Sequence, residues 1–232
     1  MIKLILVRHG ESIWNKENKF TGWTDVPLSS IGIKEARDAG AILKEKGYTF
    51  DVAYTSLLKR ADDTLKYILE VLGLENIEIH KSWCLNERHY GALQGLNKDE
   101  TRKKYGDLQV KLWRRSVNVT PPKLAVTDER YPGNDPKYQN LPKEVLPQAE
   151  SLQDTINRVV KYYNDTIKKD ILNHKKVIIV AHGNSLRALI KYLDNLSDDE
   201  VINLELETGN PICYELNDTL TPLNHYYLKD NH

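Results

Sequence analysis

Ile5-Leu6-Val7-Arg8-His9-Gly10-Glu11-Ser12 is echoed late in the chain by Ile179-Val180-Ala181-His182-Gly183-Asn184-Ser185. Each stretch is an aliphatic run that ends in His-Gly, then a polar residue, then Ser. An unbroken aliphatic run reads as a strand buried on both faces, the pattern of a parallel sheet covered by helices. The residues after each run read as a helix entrance. Two such strands would each present a histidine at the carboxyl edge of one sheet, where open α/β sheets bind ligands. The two histidines are therefore expected to share one ligand site.

The flanking sequence supports an α/β reading. Ser29 or Ser30 is placed to cap a helix that stops at Gly47, with Ala36, Ala39 and Leu43 on one face. Val52 to Thr55 reads as a second strand, followed by a helix from about Leu58 to Leu72 stopped at Gly73. Ile77 and Ile79 alternate as a short strand. Strand–helix alternation of this kind predicts a three-layer α/β/α sandwich with a mostly parallel central sheet. Short helices are expected over 98–105 and 108–115, and a longer one from Leu152 to about Ile171. Ser185 to Leu193 reads as an apolar helix, Ser197-Asp198-Asp199-Glu200 as a capping box, and 212–216 and 226–228 as closing strands. One domain is expected over 1–232, with about 86–150 as cover and loops near the site. Within it, Thr120 to Gln148 holds six of the nine prolines and is expected to form a loop excursion acting as a lid.

Bulk composition excludes several classes. Lys+Arg and Asp+Glu both total 33, so no global attraction to nucleic acid or membrane is expected. The longest uninterrupted apolar run is Val177 to Ala181, too short to span a bilayer, and no signal peptide is read at the N-terminus. Cys84 and Cys213 are far apart and in no metal-ligand spacing, which points to a reducing compartment and a cytoplasmic protein. Nucleotide-cradle, zinc and serine-hydrolase motifs are absent.

The chemistry centres on His9. Its neighbour Arg8 supplies a fork for phosphate oxygens, and Gly10 allows close backbone approach. A histidine becomes a nucleophile when one ring nitrogen is free and the other is held by an acceptor. Arg60 follows the second strand and so lies near the same edge. Together with Arg88, Arg114 and Arg115 it marks an anion pocket.

Leu6-Val7-Arg8-His9-Gly10-Glu11-Ser12 resembles the signature of the histidine phosphatase (phosphoglycerate mutase-like) superfamily. Trp14 to Asn18, Phe20 to Trp23, Leu85 to Lys98, Trp113-Arg114-Arg115 and Ala181 to Arg187 extend the resemblance to its cofactor-dependent phosphoglycerate mutase branch. The likeness covers essentially the whole chain. It implies that His9 is the phosphohistidine, that Arg8 and Arg60 hold the phosphoryl oxygens, that His182 stabilises the transferring group, and that Glu87 is the general acid/base. It also implies substrate contacts from Gly10, Glu11, Ser12, Asn15, Thr21, Gly22, Arg88, His89, Tyr90, Lys98, Arg114, Arg115, Gly183 and Asn184.

The activity implied is interconversion of 3- and 2-phosphoglycerate, with 2,3-bisphosphoglycerate charging His9, no metal required, and a homodimer or homotetramer. A histidine phosphatase with water as acceptor is the alternative. The sequence departs from the pattern at Asp62 and Asp63 after Arg60, and at Cys84, where an arginine is common. It also reads to His232 without a long lysine-rich tail.

Overall fold

The computed structural model describes residues 1–229; the reading about a tail at His232 lies outside them. In chain order the elements are β1 (Ile2–Arg8), α1 (Ile13–Lys16), α2 (Ser30–Glu45), β2 (Val52–Thr55), α3 (Lys59–Leu72), β3 (Glu78–Lys81), α4 (Lys98–Tyr105) and α5 (Asp107–Arg115). Then come α6 (Leu152–Tyr162), α7 (Lys168–Leu172), β4 (Val177–Ala181), α8 (Gly183–Asp194), α9 (Asp198–Ile202), β5 (Ile212–Leu216) and β6 (Pro222–Tyr227). The six strands form one sheet in the order β3-β2-β4-β1-β5-β6. β3, β2, β4 and β1 pair in parallel, and β5 runs antiparallel to both of its neighbours.

Alternation along the strands explains the layers. In β1, Leu4 and Leu6 pack with Val159, Tyr163 and Leu186 of the α6–α8 side, while Ile5 and Val7 pack with Ala39, Leu43, Leu65 and Ile68 of α2 and α3. β4 splits likewise, Val177 and Ile179 to one face and Ile178 and Val180 to the other. Both faces are therefore apolar, as an aliphatic run without alternation requires.

Parallel register then sets the site. Arg8 pairs with Ala181, and the His9 amide donates to Ala181 O at 3.0 Å. Thr55 of β2 pairs with Val180. Three neighbouring strands thus end together, at Ser56, His182 and His9.

Boundaries differ from expectation in three places. The predicted strand at 77–79 is Glu78–Lys81, an edge strand largely open to solvent; the last strand is Pro222–Tyr227. The long helix after Ser151 contains a π segment, Tyr163–Ile167. Buried Tyr163, Ile167 and Ile171 are four residues apart, more than the roughly 3.6 of an α-helical turn, and the wider turn keeps all three facing the core.

The proline-rich segment is not a lid in this structure. Tyr138 and Leu146 pack with Trp23, and Tyr138 Oη accepts from Asn86 Nδ2 at 2.9 Å. Lys137 pairs with Asp25. No residue of 120–148 lines the cavity described below; the segment buttresses the 21–28 loop from behind. Among the described residues no helix is long and apolar enough to cross a membrane.

Candidate active site

His9 follows β1 and is 2% exposed. Its Nδ1 lies 2.6 Å from Gly10 O. A carbonyl only accepts, so Nδ1 carries the proton and Nε2 keeps a free lone pair. Burial, then Arg60, then Arg8 drive the imidazole's pKa well below its ordinary value. Both burial and the neighbouring guanidinium groups thus favour the neutral imidazole, whose Nε2 lone pair stays available. The His182 ring stands 5.0 Å from it, edge-on. Ser56 Oγ is 2.7 Å from His182 Nε2 and already accepts the Leu58 amide. We assign the serine proton to the first bond, which leaves the ring proton on Nδ1.

Two buried atoms here have no partner: His182 Nδ1 and Arg8 Nε. Unsatisfied buried donors are costly, and a bound anion would satisfy both. Arg60, fully buried at the start of α3, is aimed by backbone carbonyls: Nη1 donates to Thr24 O at 2.9 Å and Nη2 to Gly22 O at 2.7 Å. Burial lowers its pKa to about 10, so it stays charged. Arg8 Nη1 donates to Leu206 O at 2.7 Å.

Above these groups opens a cavity of about 250 Å³. Seven cationic side chains (Arg8, Lys19, Arg60, Lys98, Arg114, Arg115 and Arg187) and two carboxylates, Glu87 and Glu205, line it. The excess of positive charge suits a ligand carrying several anionic groups. Glu87 Oε1 accepts the amides of Arg88 at 2.7 Å and Asn184 at 3.1 Å, which fixes the carboxylate in the wall. Asn184 Nδ2 donates to Tyr90 Oη at 3.2 Å. Gly183 sits close under two of these arginines: a Cβ there would lie 3.3 Å from Arg187 Nη1 and 3.5 Å from Arg8 Nε. A second hollow, about 420 Å³, lies at the opposite edge of the sheet beside Tyr48 and His174.

Of the predicted substrate contacts, Arg8, Asn15, Thr21, Gly22, Arg60, Glu87, Tyr90, Lys98, Arg114, Arg115, Gly183 and Asn184 reach this cavity. Five others do not line it. Ser12 caps α1, accepting the Asn15 amide at 3.1 Å. Gly10 makes its close approach to the protein itself, since a side chain would strike Gly32 O at 2.2 Å. Glu11 accepts from Ser29 Oγ at 2.7 Å. Arg88 is fully buried, with Nε donating to Glu150 O and Nη2 to Val119 O. His89 is also fully buried, and its Nδ1 accepts the Gly91 amide at 2.9 Å.

Four wall residues were not expected: Lys19, Phe20, Arg187 and Glu205. Arg187 had a signal, since it sits three residues after Asn184 on one helix face and donates to Asn184 Oδ1. The departures at Asp62 and Asp63 lie outside the cavity wall; Asp62 pairs with Lys81. The half-buried Cys84 gives its carbonyl to Arg158. Among the described residues no group of three or more His, Cys, Asp or Glu is placed to hold a metal ion.

A strand-end histidine with a free Nε2, a second histidine against it and buried arginines around both make an anion-attracting centre with a nitrogen lone pair at its base. A profile of the histidine phosphatase superfamily (branch 1) matches residues 4–131 and 124–225, and the chain belongs to that superfamily. The 2,3-bisphosphoglycerate-dependent phosphoglycerate mutase of Borrelia garinii is 58% identical over 99% of this chain and 93% of its own length. That of Borreliella afzelii is 59% identical over the same shares.

Solved structures share the fold at lower identity. A mycobacterial glucosyl-3-phosphoglycerate phosphatase superposes with a TM-score of 0.72 at 19% identity, covering 98% of this chain and 97% of that one. A phosphoglycerate mutase of Bacillus anthracis gives 0.66 at 21%, covering 97% and 91%.

Proposed function

We propose that this chain is a 2,3-bisphosphoglycerate-dependent phosphoglycerate mutase, interconverting 3- and 2-phosphoglycerate in glycolysis and gluconeogenesis. The observation that carries the reading is the pair of imidazoles 5.0 Å apart beneath a cation-lined cavity with Glu87 in its wall.

His9 Nε2 attacks a phosphorus of 2,3-bisphosphoglycerate. A P–N bond forms, the P–O bond to the sugar acid breaks, and protonated Glu87 gives its proton to the departing oxygen. The imidazolium proton on Nδ1 stays on its bond to Gly10 O. Arg8, Arg60 and His182 Nδ1–H offset the charge on the transferring oxygens. In the reverse direction a hydroxyl of either phosphoglycerate attacks the phosphohistidine and Glu87 takes its proton. The bisphosphate so formed turns over in the cavity and returns its other phosphate to His9. Lys98, Arg114, Arg115 and Arg187 retain it during reorientation. That outer set of cations, with the relatives at 58% identity, supports a mutase over a phosphatase that releases its product to water.

Two finer readings join this one. Two free cysteines support a cytoplasmic location, and the solvent-exposed edge strand β3 offers an unpaired rim consistent with a homodimer or homotetramer. The run of one sheet from residue 2 to 227 supports a single domain.

The test is incubation with 2,3-bisphosphoglycerate labelled in its phosphates. Acid-labile label is expected on His9, and interconversion is expected to depend on the bisphosphate and to ignore EDTA. Inorganic phosphate as the dominant product would overturn the mutase reading.

A pH dependence follows from Lys98, whose pKa burial lowers to about 8, assisted by Arg114 and Arg8. Below that pH the ammonium is charged and attracts the substrate; above it the cavity loses one cation. We expect kcat/KM to fall above about pH 8 through KM, by roughly tenfold, the scale of one charged hydrogen bond. Lys98→Arg, charged throughout, should flatten that limb in a pH–rate profile. An unchanged limb would assign it to another group.

A further inference from the structure

The segment 204–206 engages three cavity arginines. Leu204 O accepts from Arg187 Nε at 2.7 Å and Leu206 O from Arg8 Nη1 at 2.7 Å. Between them, Glu205 Oε1 accepts from Arg115 Nη2 at 2.7 Å, and its Oε2 lies 3.6 Å from Arg187 Nη2. The two wall carboxylates differ in their anchoring. Glu87 is fixed by backbone amides. Glu205 touches guanidinium groups, and its side chain is 72% exposed. It is held by the partners an incoming anion would want, and most of its side chain faces water.

We propose that Glu205 is a resident counter-anion and a specificity residue: in the free protein its carboxylate occupies the Arg115–Arg187 pair that the second anionic group of a two-ended phosphorylated ligand takes on binding. The inference rests on the mutase reading for the identity of that ligand. A small anion bound at His9 has no second group with which to displace Glu205, so it leaves Arg115 and Arg187 neutralised. A ligand with two anionic ends displaces the carboxylate and gains both arginines. The displacement costs little, since an exposed ion pair contributes weakly; Glu205 therefore tunes affinity without closing the site.

The sign of the effect separates this role from simple positioning of Arg115. Glu205→Gln keeps the shape and a hydrogen-bond acceptor but removes the competing charge. We expect it to bind pyrophosphate, a two-ended anion that is no mutase substrate, about two- to fivefold more tightly at low salt, read by calorimetry. The gain should shrink in roughly 0.5 M salt, where the screening length falls to about 4 Å. Glu205→Asp, which keeps the charge, should stay near the wild type.

Unchanged or weaker pyrophosphate binding by folded Glu205→Gln overturns the proposal. Label transfer from 2,3-bisphosphoglycerate, followed on the same proteins, tests the mutase reading separately. Intact transfer without the pyrophosphate gain sinks only the role of Glu205. The gain without transfer sinks the mutase reading and leaves Glu205 as the counter-anion of a site for two-ended anions.

Discussion

Replacing His9 with alanine is expected to lower mutase turnover by roughly 10⁴-fold or more, the scale on which a covalent nucleophile is lost. It should also abolish acid-labile labelling from 2,3-bisphosphoglycerate. The expectation rests on three features that act together: Nδ1 held by Gly10 O, a neutral ring, and Arg60 and Arg8 beside it. Among the described residues no other group places a free imidazole nitrogen at this position. His182 Nε2 is engaged with Ser56.

The fold should survive the change. The His9 ring is neutral and ends a strand instead of filling the aliphatic core, so its removal leaves no unpaired buried charge. A variant that melts like the wild type and yet keeps normal turnover would remove His9 from the mechanism.

The second large effect concerns a residue outside the cavity. Arg158 and Glu150 form a buried pair, their side chains 7% and 6% exposed, with Nε to Oε2 at 2.8 Å. Arg158 Nη1 donates to Cys84 O at 2.7 Å and Asn86 O at 2.9 Å, and Nη2 donates to Glu87 O at 2.9 Å. Glu150 Oε1 accepts the His89 amide at 2.9 Å. This pair is the clamp on the 84–89 loop, and that loop carries Glu87.

Arg158→Ala strands a buried carboxylate and three carbonyls, and such a break costs about 3–5 kcal/mol. For a chain of this size the melting temperature is expected to drop by roughly 10 °C. Turnover at a permissive temperature should fall as well, because the Glu87 carboxylate loses its mounting. Urea unfolding gives the stability change directly. A loss below about 1 kcal/mol would show that the loop is held by other contacts. The double variant Arg158→Ala/Glu150→Ala should cost less than the two single changes added, since each single change leaves a charge without its partner.

The residues that line the cavity were legible to different degrees. His9, Arg8, Gly183 and Asn184 sit at the ends of aliphatic runs, and the end of a buried strand is a position that periodicity fixes. Arg60 follows from the same logic one strand over. Arg88 and His89 belong to the motif that carries the resemblance, yet both point into protein. Arg88 spends its guanidinium on carbonyls at 119 and 150, residues far along the chain, and no local pattern signals that choice. Ser12 and Gly10 serve the turn that presents His9. The proline-rich stretch was legible as irregular, but its place behind the 21–28 loop depends on Trp23, Tyr138 and Leu146 meeting across more than a hundred residues.

By itself the sequence determined the three layers, the mainly parallel sheet and the pairing of two histidines, because unbroken aliphatic runs are stable only between two helical faces and their ends must share an edge. Tertiary structure alone decided which charges face the cavity. Whether an arginine binds a substrate or a backbone carbonyl is settled by the cost of leaving a buried donor or acceptor unpaired. That cost is assessed only where distant segments such as 84–89, 150–158 and 204–206 come together.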